Sequence, residues 1–203
     1  MTLIRKILKE RILPSINVWS VGWLLMLAVI LSLSGLKIMH IKNTADAREM
    51  MSQKELNEKH AFYNDEIDCL TTNLYHEARN EPIIGQMAVN FVVFNRVKSE
   101  DFPDSICGVT LQARSYKENG EPVKNSCQFS WYCDGKADEI KNIKKYNQLY
   151  QLSYNMFYNA NKLDDVTEGA LYYHADYVNP KWSRVHEKVV QIDTHIFYRA
   201  NED

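Results

Sequence analysis

The segment LTTNLYHEARNEPIIGQMAVNFVVFNRV, residues 70–97, decides the fold that the sequence predicts. Around its first part, apolar residues recur at steps of three and four residues, which predicts a helix with one apolar face that ends near position 80. These apolar residues are Ile67, Leu70, Leu74 and Ala78. Glu77 lies on or beside the same face, so the helix directs a carboxyl group towards the protein interior.

A carboxyl group at a buried position favours its protonated form, because burial disfavours the charged one. Glu77 therefore suits an acid that keeps its proton near neutral pH and then delivers it, as the acid does in glycosidic bond cleavage. The other interpretation is a boundary residue with its carboxylate in water or paired with Arg79.

The second half of the segment predicts a central helix over residues 83–97. Pro82 suits the first turn of a helix, and the residues that follow are apolar almost all round. A helix with so little polar surface belongs in the middle of a core.

The N-terminal part predicts a membrane anchor. Residues 13–36 carry no charge and are long and apolar enough to cross a bilayer, and they lack a clean small-x-small cleavage site. Basic residues dominate the preceding flank, which favours an N-terminus inside the cell. We therefore expect a basic cytoplasmic tail (1–12), an uncleaved signal anchor (13–36), a stalk (37–64) and a periplasmic or otherwise extracytoplasmic domain (65–203) in a single-pass inner-membrane protein.

Charge is divided between the two ends of the chain. Residues 1–42 carry a net charge of +5, which leaves −7 on the remainder of a chain whose total is −2. An acidic domain is poorly suited to neutralise phosphates, so we exclude non-specific nucleic-acid binding.

The rest of the chain predicts an α+β domain that is mainly helical. A short helical piece falls within residues 102–109, and a polar loop over 113–126 precedes the aromatic stretch CQFSWYCDG (127–135), which is typical of a cleft wall. A long amphipathic helix is predicted over 137–160. Short β-branched and aromatic runs at 170–175, 188–192 and 195–199 predict a small antiparallel sheet.

Four cysteines are compatible with two disulfide bonds in an oxidising compartment. Cys107 lies on one side of the polar loop, and Cys127 and Cys133 lie on the other, so we expect a bridge between those regions without choosing the partner. Cys69 is interpreted as a small buried thiol.

Six motifs, in order, resemble those of the cell wall hydrolase family typified by spore cortex-lytic enzymes of the SleB type. They are LYHEARNEP, GQMAVNFVVFNRV, FPDSICGV, CQFSWYCDG, YYHADYVNPKW and HIFYR, and they cover roughly residues 69–199. The resemblance implies a domain similar to lysozymes and lytic transglycosylases that acts on the glycan strands of peptidoglycan. It also implies that Glu77, in the E-A-R motif, is the catalytic acid.

The resemblance favours a lytic transglycosylase in which Glu77 serves first as acid and then as base, cleaving between N-acetylmuramic acid and N-acetylglucosamine. A hydrolase would place a second carboxylate about 5–10 Å away. Glu81 is the nearest candidate, but Pro82 indicates that the helix is ending there. We expect no metal and no cofactor.

Aromatic and amide side chains are the candidates for substrate binding, because aromatic faces stack on sugar rings and an amide can reach acetamido groups. The candidates are Gln128, Phe129, Trp131, Tyr173 and His174, together with Tyr132 and Trp182. The other interpretation is a buried aromatic cluster, with His174 as a hydrogen-bonded structural residue.

Three alternatives remain at this point. A zinc amidase would use His174, His186 and His195, or the Cys127–Cys133 pair, although their spacings match no compact zinc motif. A non-catalytic membrane-anchored module would only bind peptidoglycan or a partner protein. A phage endolysin would release its anchor from the membrane, which the strongly apolar span disfavours.

Overall fold

The computed structural model describes residues 18–201, and chain packing divides it into two units at residue 58. The described part of the first unit is helical, and the side chains of residues 21–58 are exposed. It includes a stretch long and apolar enough to cross a membrane by length and composition. The expected tail 1–12 and the start of the expected span 13–36 lie outside the described residues. The anchor and the bounds of the four expected segments stay predictions.

The second unit begins at residue 59 and is mainly helical, as predicted. Its elements are the last part of α1 (Val18–Ala78), α2 (Ile83–Lys98), α3 (Ile106–Thr110), α4 (Ile143–Asn159), β1 (Tyr172–Ala175), β2 (Glu187–Ile192) and β3 (His195–Arg199). Short 3-10 helices cover Ser130–Cys133, Ala160–Lys162 and Lys181–Arg184. The kinship with the lysozyme fold stays a prediction.

Helix α2 is the centre of the core, which confirms the interpretation of its apolar sequence. Ten of its 16 residues are buried. Phe91 packs in one cluster with Leu70 of α1 and Met156 of α4, and Val92 packs in another with Phe197 of β3. Each such side chain stabilises the fold by roughly 1.5–3 kcal/mol, so α2 holds the other elements together.

The three predicted strands form an antiparallel sheet in the order β1-β3-β2. A two-residue turn joins β2 to β3, and Asp193 in that turn has φ of 48°, which an Asp side chain tolerates better than most. In the register of the sheet, Tyr173 lies opposite Phe197 and Ala175 lies opposite His195. The sheet therefore brings Tyr173 and His195 to neighbouring strands.

A disulfide joins α3 to α1, and it is not the bridge that the sequence predicted. Cys69 bonds to Cys107, with 5.2 Å between their Cα atoms. Glu66, one turn before Cys69, accepts hydrogen bonds from the backbone N–H groups of Ile106 and Cys107 at the start of α3. The expected bridge from Cys107 across the polar loop is wrong, because α3 docks on α1 and turns Cys107 towards Cys69.

The remaining cysteines, Cys127 and Cys133, bond to each other across the aromatic stretch. Within this small ring the chain forms the 3-10 helix, which puts neighbouring aromatic side chains on different sides. Phe129 is buried in the core, whereas Trp131 is only partly buried. The ring therefore divides the aromatic residues between the core and the surface.

Helix α4 is shorter at its start than the predicted helix over residues 137–160. The side chain of Asn142 accepts a hydrogen bond from the backbone N–H of Lys145 and caps the helix there. The backbone N–H of Asn142 donates to the hydroxyl of Tyr75 on α1 at 3.0 Å. These two contacts fix residue 142 outside the helix, and residues 137–142 are not helical.

We expect the Cys69→Ser/Cys107→Ser variant to lose about 4 kcal/mol of unfolding free energy, because its bridge spans 38 residues. The matched variant Cys127→Ser/Cys133→Ser, whose bridge spans 6 residues, should lose about 2 kcal/mol. Urea titrations followed by near-ultraviolet circular dichroism measure both losses. A larger loss for the shorter bridge would contradict the expectation.

Candidate active site

A groove of about 530 Å³ lies in the second unit, between the C-terminal end of α1, the Cys127–Cys133 ring with the segment that follows it, and the edge of the sheet. Residues from all three parts line it, including Glu77, Trp131, Tyr173 and His195. A cleft of this size with convergent polar groups is typical of a binding site for a small molecule or a polymer segment.

Glu77 lies in the last turn of α1 and is partly buried in the groove wall. The hydroxyl of Tyr173 donates a hydrogen bond to Glu77 Oε2 at 2.9 Å. Burial raises the pKa of Glu77, and the hydrogen bond from Tyr173 and the positive charge of Arg96 partly oppose that rise. The carboxyl group is therefore biased towards its protonated form while its ionised form keeps two stabilising contacts.

Tyr173 is the group that joins Glu77 to the sheet. Burial and the nearby Glu77 carboxyl raise the pKa of Tyr173 well above its ordinary value, so the phenol keeps its proton and remains a donor. Its ring packs against Phe197 with 5.6 Å between centroids and meets the edge of His195 at 5.2 Å. The Tyr173 ring is thus held by packing against two residues of β3.

Arg96, near the end of α2, is a buried cation that the sequence analysis missed. It is 5% exposed, and its Nε donates to the backbone carbonyl of Leu171 at 2.8 Å, just before β1. Its guanidinium lies 5.0 Å from the ring centres of Phe102 and Phe129. Burial lowers the pKa of Arg96, but an arginine stays protonated in proteins, so a positive charge persists behind Glu77.

The preceding residue, Asn95, anchors the chain that leads into β1. Its side-chain amide donates to Asp165 Oδ2 at 2.8 Å. Asp165 also accepts from the backbone N–H and the hydroxyl of Thr167. Burial would raise the pKa of Asp165, but these hydrogen bonds lower it overall, so the carboxylate is ionised and the loop is fixed. Asn95 and Arg96 together position the strand that carries Tyr173.

Trp131 forms the opposite part of the groove. Its indole Nε1 donates to Asn73 Oδ1 at 2.9 Å, and its ring stacks on His76 with 4.7 Å between centroids. Burial lowers the pKa of His76, which favours the neutral imidazole at neutral pH. Asn73 and His76 lie on α1, one turn or less before Glu77, so one helix positions both the acid and this wall.

The structure brings together only some of the predicted substrate-binding residues. Trp131, Tyr173 and His174 line the groove with Glu77. Gln128 is exposed and does not line the groove, and Phe129 is 2% exposed inside the core, so both expectations are corrected. The 3-10 turn after residue 129 is the physical reason, because it directs Ser130 and Trp131 to the cleft and leaves Gln128 and Phe129 outside it.

His174 borders the groove with both ring nitrogens engaged. Nδ1 lies 2.8 Å from the carbonyl oxygen of Ala175, and Nε2 lies 3.0 Å from the hydroxyl of Tyr198. This pattern matches the structural interpretation of His174. Tyr132 and Trp182 do not line the groove, and Trp182 packs instead on Tyr172 and Tyr198.

Two further carboxylates, Asp134 and Asp138, line the groove near its surface. The backbone N–H and the ammonium group of Lys136 bind Asp134 and lower its pKa, so Asp134 is ionised. Glu81, the expected nearest second acid, is not part of the lining and accepts a hydrogen bond from Thr194 at 2.7 Å. Glu77 is the groove carboxyl group whose pKa is raised by burial.

Residues 18–201 contain no group of three or more His, Cys, Asp or Glu side chains arranged to hold a metal ion. Cys127 and Cys133 are joined to each other, and His174 uses both nitrogens on protein atoms. The ligand sets considered for a zinc amidase are therefore not assembled.

The residues Asn73, His76 and Arg96 were not among the predicted site residues, and His195 was considered only as a zinc ligand. Asn73 and His76 had a detectable signal, because they lie four residues and one residue before Glu77 on the same helix. Arg96 and His195 had none, because each reaches the site from a distant element.

The part of the chain that contains α2 and the sheet is similar in sequence to known proteins. A sequence profile of the family described as Cell Wall Hydrolase matches residues 80–198, a range that begins just after Glu77. The spore cortex-lytic enzyme of Bacillus cereus is 29% identical over 160 residues, which are 76% of this chain and 52% of that protein. The Bacillus subtilis enzyme of the same name is 31% identical over 137 residues, which are 67% of this chain and 38% of that protein.

The chain thus spans about half the length, or less, of these two relatives. Among solved structures, the catalytic domain of the Bacillus cereus SleB protein superimposes with a TM-score of 0.48 and 28% identity, over 67% of this chain and 91% of that one. The catalytic domain of the germination-specific lytic transglycosylase SleB from Bacillus anthracis superimposes with a TM-score of 0.47 and 27% identity, over 66% of this chain and 93% of that one. The family profile covers more than half of the chain, and the protein therefore belongs to the cell wall hydrolase family.

Proposed function

We propose that this protein cleaves the glycan strands of peptidoglycan between N-acetylmuramic acid and N-acetylglucosamine, with Glu77 as the catalytic acid. The observation that carries the proposal is a groove-lining carboxyl group whose pKa is raised by burial and which accepts a hydrogen bond from Tyr173. Membership of the cell wall hydrolase family supports the substrate class.

The first step is proton transfer. Protonated Glu77 donates to the glycosidic oxygen as the bond from that oxygen to C1 of the muramic acid breaks. The developing carboxylate keeps the hydrogen bond from Tyr173 and the charge of Arg96, which are already in place before the reaction.

The second step decides between two products. In a lytic transglycosylase, the C6 hydroxyl of the muramic acid attacks C1, Glu77 takes the hydroxyl proton, and a 1,6-anhydro end results. This course needs only one carboxyl group, which fits Glu77 as the groove carboxyl group whose pKa burial raises. In a hydrolase, a second carboxylate directs a water to C1, and Asp134 and Asp138 are the groove residues suited to that role.

We also propose that residues 13–36 anchor the protein in the inner membrane with the catalytic unit outside the cytoplasm. The long apolar helix supports the anchor, and the two disulfide bonds support an oxidising compartment. Peptidoglycan lies in the same compartment, so enzyme and substrate meet there.

We expect Glu77→Gln in the full detergent-solubilised chain to lower the rate of release of soluble fragments from purified sacculi by about 10²–10⁴-fold, because the amide cannot donate the proton. Mass spectrometry of the wild-type products should find 1,6-anhydro ends. The matched control is Glu100→Gln, an exposed position after α2. Reducing ends without anhydro sugar would exclude the transglycosylase, and equal rates for Glu77→Gln and wild type would exclude Glu77 as the acid.

We expect Tyr173→Phe to raise the pKa of Glu77 further, because the lost hydrogen bond stabilises the ionised carboxylate. The protonated acid then persists to higher pH, and the basic limb of the kcat profile moves in that direction. A ¹³C NMR titration of the Glu77 carboxyl in the Tyr173→Phe and Tyr132→Phe variants measures the shift against a control outside the groove. A pKa that falls or stays constant in Tyr173→Phe would count against this assignment.

A further inference from the structure

His195 and Glu81 face each other beside the groove and have no role in the mechanism above. Nδ1 of His195 lies 3.7 Å from Oε2 of Glu81, and their side chains are only 9% and 14% exposed. The other carboxylate oxygen, Oε1, accepts a hydrogen bond from the hydroxyl of Thr194 at 2.7 Å. The turn between β2 and β3 thus ties the Glu81 carboxylate next to the imidazole.

Both atoms of this pair are buried, and within the described residues neither has a hydrogen-bond partner. A carboxylate oxygen opposite a ring nitrogen favours the tautomer that carries its proton on that nitrogen. This placement favours the tautomer with its proton on Nδ1, in which Nε2 is left as a hydrogen-bond acceptor.

The His195 side chain also contributes to the groove lining. Its Nδ1 is buried and faces Glu81, and its Nε2 has no hydrogen bond to a protein group within residues 18–201. Its ring stands at 89° to the ring of Tyr173, with 5.2 Å between centroids. The Tyr173 hydroxyl binds Glu77, so a ligand that reaches the acid passes next to His195.

We propose that His195 is a substrate-binding residue whose Nε2 accepts a hydrogen bond from a hydroxyl group of the glycan strand, and that Glu81 is the positioning residue that fixes its tautomer. Sugar hydroxyls are donors that match a neutral imidazole nitrogen. The inference rests on the proposed glycan substrate and assigns no proton transfer to His195.

The protonation of His195 gives this contact a pH dependence. Burial lowers the pKa of His195; Glu81, Asp193 and Asp176 raise it in part, and His174 lowers it further. With its pKa lowered overall, the ring is neutral at neutral pH and accepts through Nε2. At lower pH the ring becomes protonated at both nitrogens and can no longer accept, so glycan binding weakens as the pH falls.

Two substitutions separate the acceptor role from simple packing. The side-chain oxygen of a glutamine reaches about as far as Nε2, and that of an asparagine only about as far as Nδ1. We would introduce His195→Gln and His195→Asn into the full-length Glu77→Gln variant, which slows turnover strongly and removes the titration of Glu77. The probe is a soluble glycan strand freed of its stem peptides, and calorimetry measures its Kd in detergent solution.

At pH 7 we expect His195→Asn to raise Kd by about tenfold and His195→Gln by less than about threefold, as the loss and retention of one hydrogen bond predict. Lowering the pH below the ordinary imidazole pKa of about 6.5 should raise Kd for the variant that keeps His195 and leave Kd constant for His195→Gln. Equal Kd values for both substitutions, or the same pH dependence with and without His195, would overturn the proposal.

A failure of the His195 inference and a failure of the proposed function give different results. If the wild type cleaves glycan strands but the His195 variants bind as their parent does, the inference fails and the proposed function stands. If the wild type releases no fragments and the probe does not bind, the proposed function itself fails. Should His195→Asn unfold in circular dichroism, the pH dependence of His195→Gln against its parent decides the question.

Discussion

The hydrogen bond from the Tyr173 hydroxyl to the Glu77 carboxylate is the contact on which the site depends. It joins the last turn of α1 to strand β1 across 96 residues of sequence. Helix α2 makes that approach possible, because Arg96 holds the carbonyl of Leu171 just before β1. A change that moves α2 or β1 therefore also changes the environment of the acid.

The pKa of Glu77 is set by effects that oppose one another. Burial favours the protonated acid, whereas the Tyr173 hydrogen bond and the buried Arg96 cation favour the carboxylate. The role proposed for Glu77, to donate a proton and later take one back, needs both forms to be accessible, and this balance is compatible with that role. Asp134, which Lys136 keeps ionised near the groove surface, differs in environment and is not suited to donate.

Local sequence patterns predicted the elements well and the long-range pairs poorly. The position of Glu77 follows from helical spacing, and the central place of α2 follows from its apolar sequence. The Cys69–Cys107 bond was mispredicted, because it depends on how α3 docks against α1. The pairing of Glu81 with His195 had no sequence signal, since it forms only when β3 reaches the end of α1.

The central claim is that a glycan strand lies in the groove with its glycosidic oxygen at the side chain of residue 77. A crystal structure of the Glu77→Gln variant with a bound peptidoglycan tetrasaccharide measures this directly. The account predicts a glycosidic oxygen within hydrogen-bond distance of the residue 77 side chain, between Trp131 and Tyr173. A tetrasaccharide bound outside this groove, with residue 77 facing only solvent, would contradict it.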